Sequence, residues 1–123
     1  MQTQRKGALA ETLACQYLQH QGLQLIEKNF HAKTGEIDLI MQDKQQLVFV
    51  EVRYRHQRNN RNYGSGATSI TPTKRRRLLR TATYYMQLNH LVKQQARLDV
   101  VDVSGSLESP QVLWIPNAIT EDA

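Results

Sequence analysis

Apolar positions near the start of the chain recur at helical spacing. Ala10, Leu13, Ala14, Tyr17 and Leu18 fall at i, i+3, i+4, i+7 and i+8, the stripe of an amphipathic helix with one side on a core. Gly22 supplies the stop, just after His20 in the last turn. The pattern then changes to that of strands. Leu23–Phe30 predicts a first strand, Lys33-Thr34-Gly35 a turn, Glu36–Met41 a second strand and Leu47–Tyr54 a third, longer one. Gln42-Asp43-Lys44-Gln45 is short and polar enough to close a hairpin between the last two. His56–Gly66 carries no apolar period and predicts a mobile, basic loop.

Thr71-Pro72 predicts a helix start, with Thr as N-cap and Pro at the first helical position. Leu78, Leu79, Ala82, Tyr85, Met86 and Asn89 mark one face of this second helix, which is expected to end near Gln95. A strand over Leu98–Val103, a turn region over Ser104–Pro110 and a last strand over Val112–Ile115, stopped by Pro116, complete the chain; residues 119–123 are expected to form a tail. The order α-β-β-β-α-β-β predicts an α/β fold with a mixed central β-sheet flanked by helices, the first helix being the less firmly placed. At 123 residues the chain holds one domain, 1–123.

No segment approaches the roughly 20 apolar residues that span a bilayer; the longest apolar-rich run, Leu47–Val52, is interrupted by Glu51. With no apolar leader after Met1 and a lone Cys15 that forms no intrachain disulfide, the expectation is a cytoplasmic protein without a membrane partner. The net charge of +5 matters less than its distribution. Between Val52 and Leu98 there is no acid, while Arg53, Arg55, Arg58, Arg61, Lys74, Arg75, Arg76, Arg77, Arg80, Lys93 and Arg97 contribute eleven positive charges. Such a segment suits a phosphate backbone, and nucleic acid is the expected partner ahead of a merely solvated basic helix.

Strand alternation puts Leu47, Phe49, Glu51 and Arg53 on one face and Val48, Val50, Val52 and Tyr54 on the other, and gives Glu36, Asp38 and Ile40 a shared face. A hairpin that sets Asp38 opposite or diagonal to Glu51 brings the two carboxylates within about 5 to 8 Å, close enough for one hydrated divalent ion to link them. Acids on apolar strands are costly unless their charge is compensated, so the pair is either a site or a solvated face in which Glu51 meets Arg53.

Glu11, Gly35-Glu36-Ile37-Asp38-Leu39-Ile40, Val48-Phe49-Val50-Glu51-Val52-Arg53-Tyr54-Arg55, Lys74 and Arg97-Leu98-Asp99-Val100-Val101 resemble the bacterial YraN family over roughly Arg5 to Ala118. That family is similar to the PD-(D/E)XK nuclease superfamily, with archaeal Holliday junction resolvases among its structural analogues. The resemblance implies a restriction-endonuclease-like fold, Mg²⁺ or Mn²⁺ held by Asp38, Glu51 and the Val52 backbone carbonyl, a catalytic role for Glu11, and a homodimer. Glu36 is a candidate auxiliary acid. Arg53 stands where the nuclease motif has lysine; it keeps its charge and donates as a fork, so it suits transition-state charge better than proton abstraction.

Lys74, Arg75, Arg76 and Arg77 crowd the positive end of the second helix's dipole, a placement that an anionic partner relieves. With Arg55, Arg58 and Arg61 they are the candidate nucleic-acid contacts, and Tyr63 is either a base-stacking residue or a loop anchor. His20, His31, His56 and His90 lack metal-ligand spacing, and Tyr17 and Trp114 read as core aromatics. The expected function is metal-dependent phosphodiester hydrolysis on DNA. The alternative is an inactive nuclease-fold domain that binds nucleic acid or an acidic protein.

Overall fold

The structure is a computed structural model that describes residues 2–55 and 70–120, with side chains from Gly7 onward. The expected loop 56–66, including Arg58, Arg61 and Tyr63, lies outside the described residues. Helix α1 spans Gln2–His20 and is followed by strands β1 (Gln24–Ala32), β2 (Gly35–Asp43) and β3 (Gln46–Arg55), helix α2 (Pro72–Leu88), then β4 (Ala96–Ser104) and β5 (Gln111–Ile119). The element order is the one the sequence pattern predicts. The strands form one mixed sheet in the order β1-β2-β3-β4-β5. Neighbours pair antiparallel except β3 and β4, which are parallel and are therefore joined by the α2 crossover.

Each sheet face buries a different helix. Leu47, Phe49, Leu98 and Val100 pack with Leu78, Ala82 and Tyr85 of α2. Val48, Val50, Val101 and Val103 pack with Ala10, Ala14, Cys15 and Leu18 of α1. This is the period-two partition expected for β3, and it gives α1 a full share of the core. On the α2 side Phe30 and Phe49 meet Tyr85 edge-on, with ring centroids 5.1 and 5.7 Å apart, a geometry worth about 0.5–1.5 kcal/mol per pair beyond burial.

Some boundaries differ from expectation. Helix α2 is capped at its start by Thr71, whose hydroxyl accepts from Lys74 N–H, but it ends at Leu88 rather than near Gln95. Asn89 closes it by donating from Nδ2 to the Tyr85 carbonyl, and His90 follows at φ 58. A side-chain cap and a left-handed residue terminate the helix although apolar residues continue beyond it. Strand β5 runs through Pro116 to Ile119, which is buried and so is not tail. Proline is tolerated there because β5 pairs only with β4. Two strands are irregular: β1 shifts register between Leu25 and Glu27 and carries Asn29 at φ 54, and β5 is displaced against Leu98/Val100 and carries Asn117 at φ 52.

Candidate functional site

Strands β2 and β3 pair from Asp43–Gln46 at their turn to Leu39–Val50. One more step would set Asp38 opposite Glu51, as the sequence suggests, but the ladder ends there. Strand β3 remains paired with β4 as far as Arg55–Ser104, so it is β2 that departs. Ile37 packs in the same cluster as Ile40, so alternation fails across Asp38. At this break Asp38 Oδ2 accepts the Val52 N–H at 2.8 Å, a bond the ladder would otherwise supply. The departing strand lies against α2 at Gly35, whose φ is +147 and where a β-carbon would stand 3.3 Å from Thr81 Oγ1. That oxygen is already committed to Thr34 Oγ1 at 2.8 Å and to the Arg77 carbonyl at 2.7 Å.

The gap opens into a cavity of about 600 Å³ between α1 and the start of α2. Glu11 enters from α1, Glu36 and Asp38 from β2, Glu51 from β3, and Lys74 and Arg77 from α2. Glu51 is 5% exposed, and Lys74 Nζ sits 2.6 Å from its Oε2. Burial, and then the charge of Glu51, push the Asp38 carboxyl up to about 8, the two carboxyl groups being joined by a hydrogen bond. Near neutrality Asp38 therefore holds a proton. Glu11 is also raised, first by burial and next by the Glu36 charge, against the lowering effect of Lys28 and a hydrogen bond with Asn29. A cation brought among these groups would be stabilised by the same charge that now raises them.

Not every expected group arrives. Arg53 is half-buried on β3 but does not line the cavity. Arg55 is ion-paired with Asp102, whose Oδ1 has no hydrogen-bond partner among the described residues. Val52 meets the acids through its N–H. Arg75 is half-buried and Arg76 and Arg77 are exposed on the first turns of α2. Glu36 is exposed and sits 3.1 Å from His31 Nδ1. The Lys74–Glu51 pair escaped the sequence reading because nothing separates Lys74 from the arginines that follow it.

A second polar centre was also missed. Asp99, 0% exposed, accepts from Arg97 Nε at 3.0 and 3.2 Å, from Trp114 Nε1 at 2.9 Å and from Asn117 N at 2.8 Å. Arg97 reaches on to Asp43 at 3.1 Å and Gln46 at 2.9 Å. The available signal was an acid interrupting the apolar run from Leu98.

Among the described residues no set of three or more His, Cys, Asp or Glu side chains is gathered to hold a metal. What the cavity offers is a two-carboxylate floor. That donor set fits a hard ion such as Mg²⁺ or Mn²⁺, which retains several waters and takes one or two carboxylates along with substrate phosphate. No described helix is long and apolar enough to cross a membrane.

Fold and site thus define an α/β protein with an acid-floored, lysine-capped cavity where the sheet parts. The sequence model of the Uncharacterised protein family UPF0102 matches residues 10–103, and the chain belongs to that family, which bears out the YraN-like resemblance. It is similar to a UPF0102 protein of Coxiella burnetii (strain RSA 331 / Henzerling II), 47% identical over 118 residues covering 95% of this chain and 93% of the relative. A Methylococcus capsulatus relative is 48% identical over 113 residues, 92% and 89% of the two chains. One from Legionella pneumophila subsp. pneumophila is 41% identical over 118 residues, 94% and 95% of the two chains.

Proposed function

We propose that this cavity hydrolyses phosphodiester bonds of DNA, with a Mg²⁺ or Mn²⁺ ion held by Asp38 and Glu51, on a fold of the PD-(D/E)XK nuclease type. One observation carries the reading: Asp38 and Glu51 meet on a recessed floor, with Lys74 2.6 Å from Glu51 and Arg77 in the wall. Holding like charges together lowers stability, and such groups concentrate at functional sites. A divalent ion bound there would lower the pKa of a water and neutralise charge on the scissile phosphate.

The chain's own groups supply the rest. Asp38 and Glu51 orient whatever they bind, and Asp38 is itself fixed by the Val52 N–H. Lys74 contributes an ammonium on a flexible stem against Glu51, where a phosphate oxygen or an attacking water would lie. This is the role that Arg53, which does not line the cavity, is poorly suited to fill. Arg76, Arg77 and Arg80 form no ion pair among the described residues, and the first turn of α2 contains no acid, so the start of the helix is left for phosphate.

Nicking of supercoiled plasmid in Mn²⁺, together with calorimetry of Mn²⁺ binding, tests the reading. Wild type is expected to nick and to bind the ion. Asp38→Ala and Glu51→Gln are expected to lose both. Lys74→Ala should lose about 10²-fold in rate, and Arg53→Ala less than about tenfold. Wild type that neither binds Mn²⁺ nor nicks DNA would end the hydrolytic reading.

Binding without cleavage would leave a nucleic-acid-binding domain, and salt then separates DNA from an acidic protein surface. The log of DNA affinity is expected to fall linearly with log salt, and each of Arg76→Ala and Arg77→Ala should lower that slope by about 1. A salt-independent affinity would remove DNA as the ligand.

A further inference from the structure

We infer that the substrate enters this cavity as a single, unpaired strand and that Gly7 is the wall past which its backbone runs; the inference rests on the phosphodiester reading above. The reactive acids lie at the bottom of a recess. Glu51 is 5% exposed, and the walls above it come from α1 on one side and α2 on the other. A cavity of about 600 Å³ lies within the range of roughly 300–1,000 Å³ that encloses a small organic ligand. That is the scale of a nucleotide or two, whereas a paired helix, whose major groove alone is about 12 Å wide, cannot descend into it. An unpaired strand has the freedom to send one phosphate down to Asp38 and Glu51. Tyr54, tied by its hydroxyl to the Gly105 carbonyl at 3.2 Å, also lines the cavity and gives it an aromatic residue of the kind single strands stack on.

Gly7 has no internal reason to be glycine. It lies within α1, where glycine is the least favourable residue after proline. It is not among the positive-φ glycines of the described residues, which are Gly22, Gly35 and Gly105. A β-carbon built on it meets nothing within 4 Å among the described residues, so their packing does not exclude a side chain either. What Gly7 borders is the cavity. A missing side chain at that wall lets a ligand approach the helix backbone closely, which is the use of glycine that remains.

The test measures Mn²⁺-dependent cleavage of an end-labelled single-stranded oligonucleotide, the same sequence as a duplex, and a four-way junction of fully paired arms. Wild type and Gly7→Leu are compared. Leucine is a strong helix former with open space around it, so circular dichroism and Tm should match or exceed wild type. Should Gly7→Leu fail to fold, Gly7→Ala carries the same test with a smaller expected loss. Wild type is expected to cut the single strand at least about tenfold faster than either paired substrate, and Gly7→Leu to lose that cleavage by a similar factor while still binding Mn²⁺ in calorimetry. Equal cleavage of single and paired DNA, or full cleavage by the folded Gly7 variant, overturns the inference. If wild type cuts nothing, the hydrolytic reading has failed. The strand inference is then decided by fluorescence anisotropy of the single strand against the duplex: preference for the single strand, weakened in the Gly7 variant, supports it, and equal binding overturns it.

Discussion

Asp38→Asn is expected to raise the melting temperature near neutral pH by about 8 °C while abolishing Mn²⁺ binding and cleavage. The asparagine keeps what the protonated acid does structurally, because its carbonyl oxygen can accept the Val52 N–H and its amide can donate to Glu51. It removes only the requirement to hold a proton. An unfolded aspartate titrates near 3.9, whereas burial and the Glu51 charge push folded Asp38 up to about 8. Between these values the native state binds a proton that the unfolded chain has released, so stability falls as pH rises through the window and levels off above it. The variant has no such slope from this position, and its advantage should vanish toward pH ~4. Because one side of the pair opens to the cavity, the gain at neutral pH is set at about 2 kcal/mol, well below about 1.4 kcal/mol for each pH unit of the shift. Thermal melts of both proteins from acid to mildly alkaline pH give the curve directly. Parallel curves with no advantage at neutral pH would mean that Asp38 is not held protonated by its surroundings. A variant at once more stable and inactive is the signature of groups kept for chemistry.

The largest loss of stability is expected from Asp99→Ala, at about 3–5 kcal/mol. The replacement leaves Arg97, with a side chain only 13% exposed, with Asp43 as its remaining carboxylate, and strands the Trp114 Nε1–H and Asn117 N–H donors that Asp99 now accepts. The position matters because β5 is out of register there: Leu98 pairs with Ile119 and Val100 with Ile115, and the amide of Asn117 has the Asp99 carboxylate in place of a ladder partner. Asp99→Asn, which loses the charge but keeps one accepting oxygen, should cost about half as much. Urea unfolding curves measure both. An alanine variant within about 1 kcal/mol of wild type would mean that the sheet does not depend on this clamp.

The sequence carried the fold well and the site in part, and the division has a physical origin. Helix and strand periods are local, so the register of β3 against both cores, the Thr71-Pro72 helix start and the placement of Asp38 near Glu51 could all be read from spacing. End points set by single side chains were harder. Asn89 and His90 close α2 early despite the continuing apolar pattern, and Pro116 looked like a stop only because the edge position of β5 was unknown. Charge partners could not be read at all. Lys74 with Glu51, Arg55 with Asp102, and Arg97 with Asp43 join residues far apart in the chain. Three of the eleven cations in the acid-free segment are thereby held in ion pairs. Among the described residues, Arg75, Arg76, Arg77 and Arg80 of α2 lie outside these ion pairs.

The interruptions in β1 and β5 fall on the two outermost strands of the sheet, at Ile26 and Asn29 on one side and at Pro116 and Asn117 on the other. A regular outer strand is a template for a second chain, and bulges, proline and left-handed residues are the devices that spoil it. This sheet therefore resists growing into a ribbon across molecules. Two copies that associate are expected to meet through helices or loops, which leaves the cavity between β2 and β3 outside any sheet-to-sheet contact.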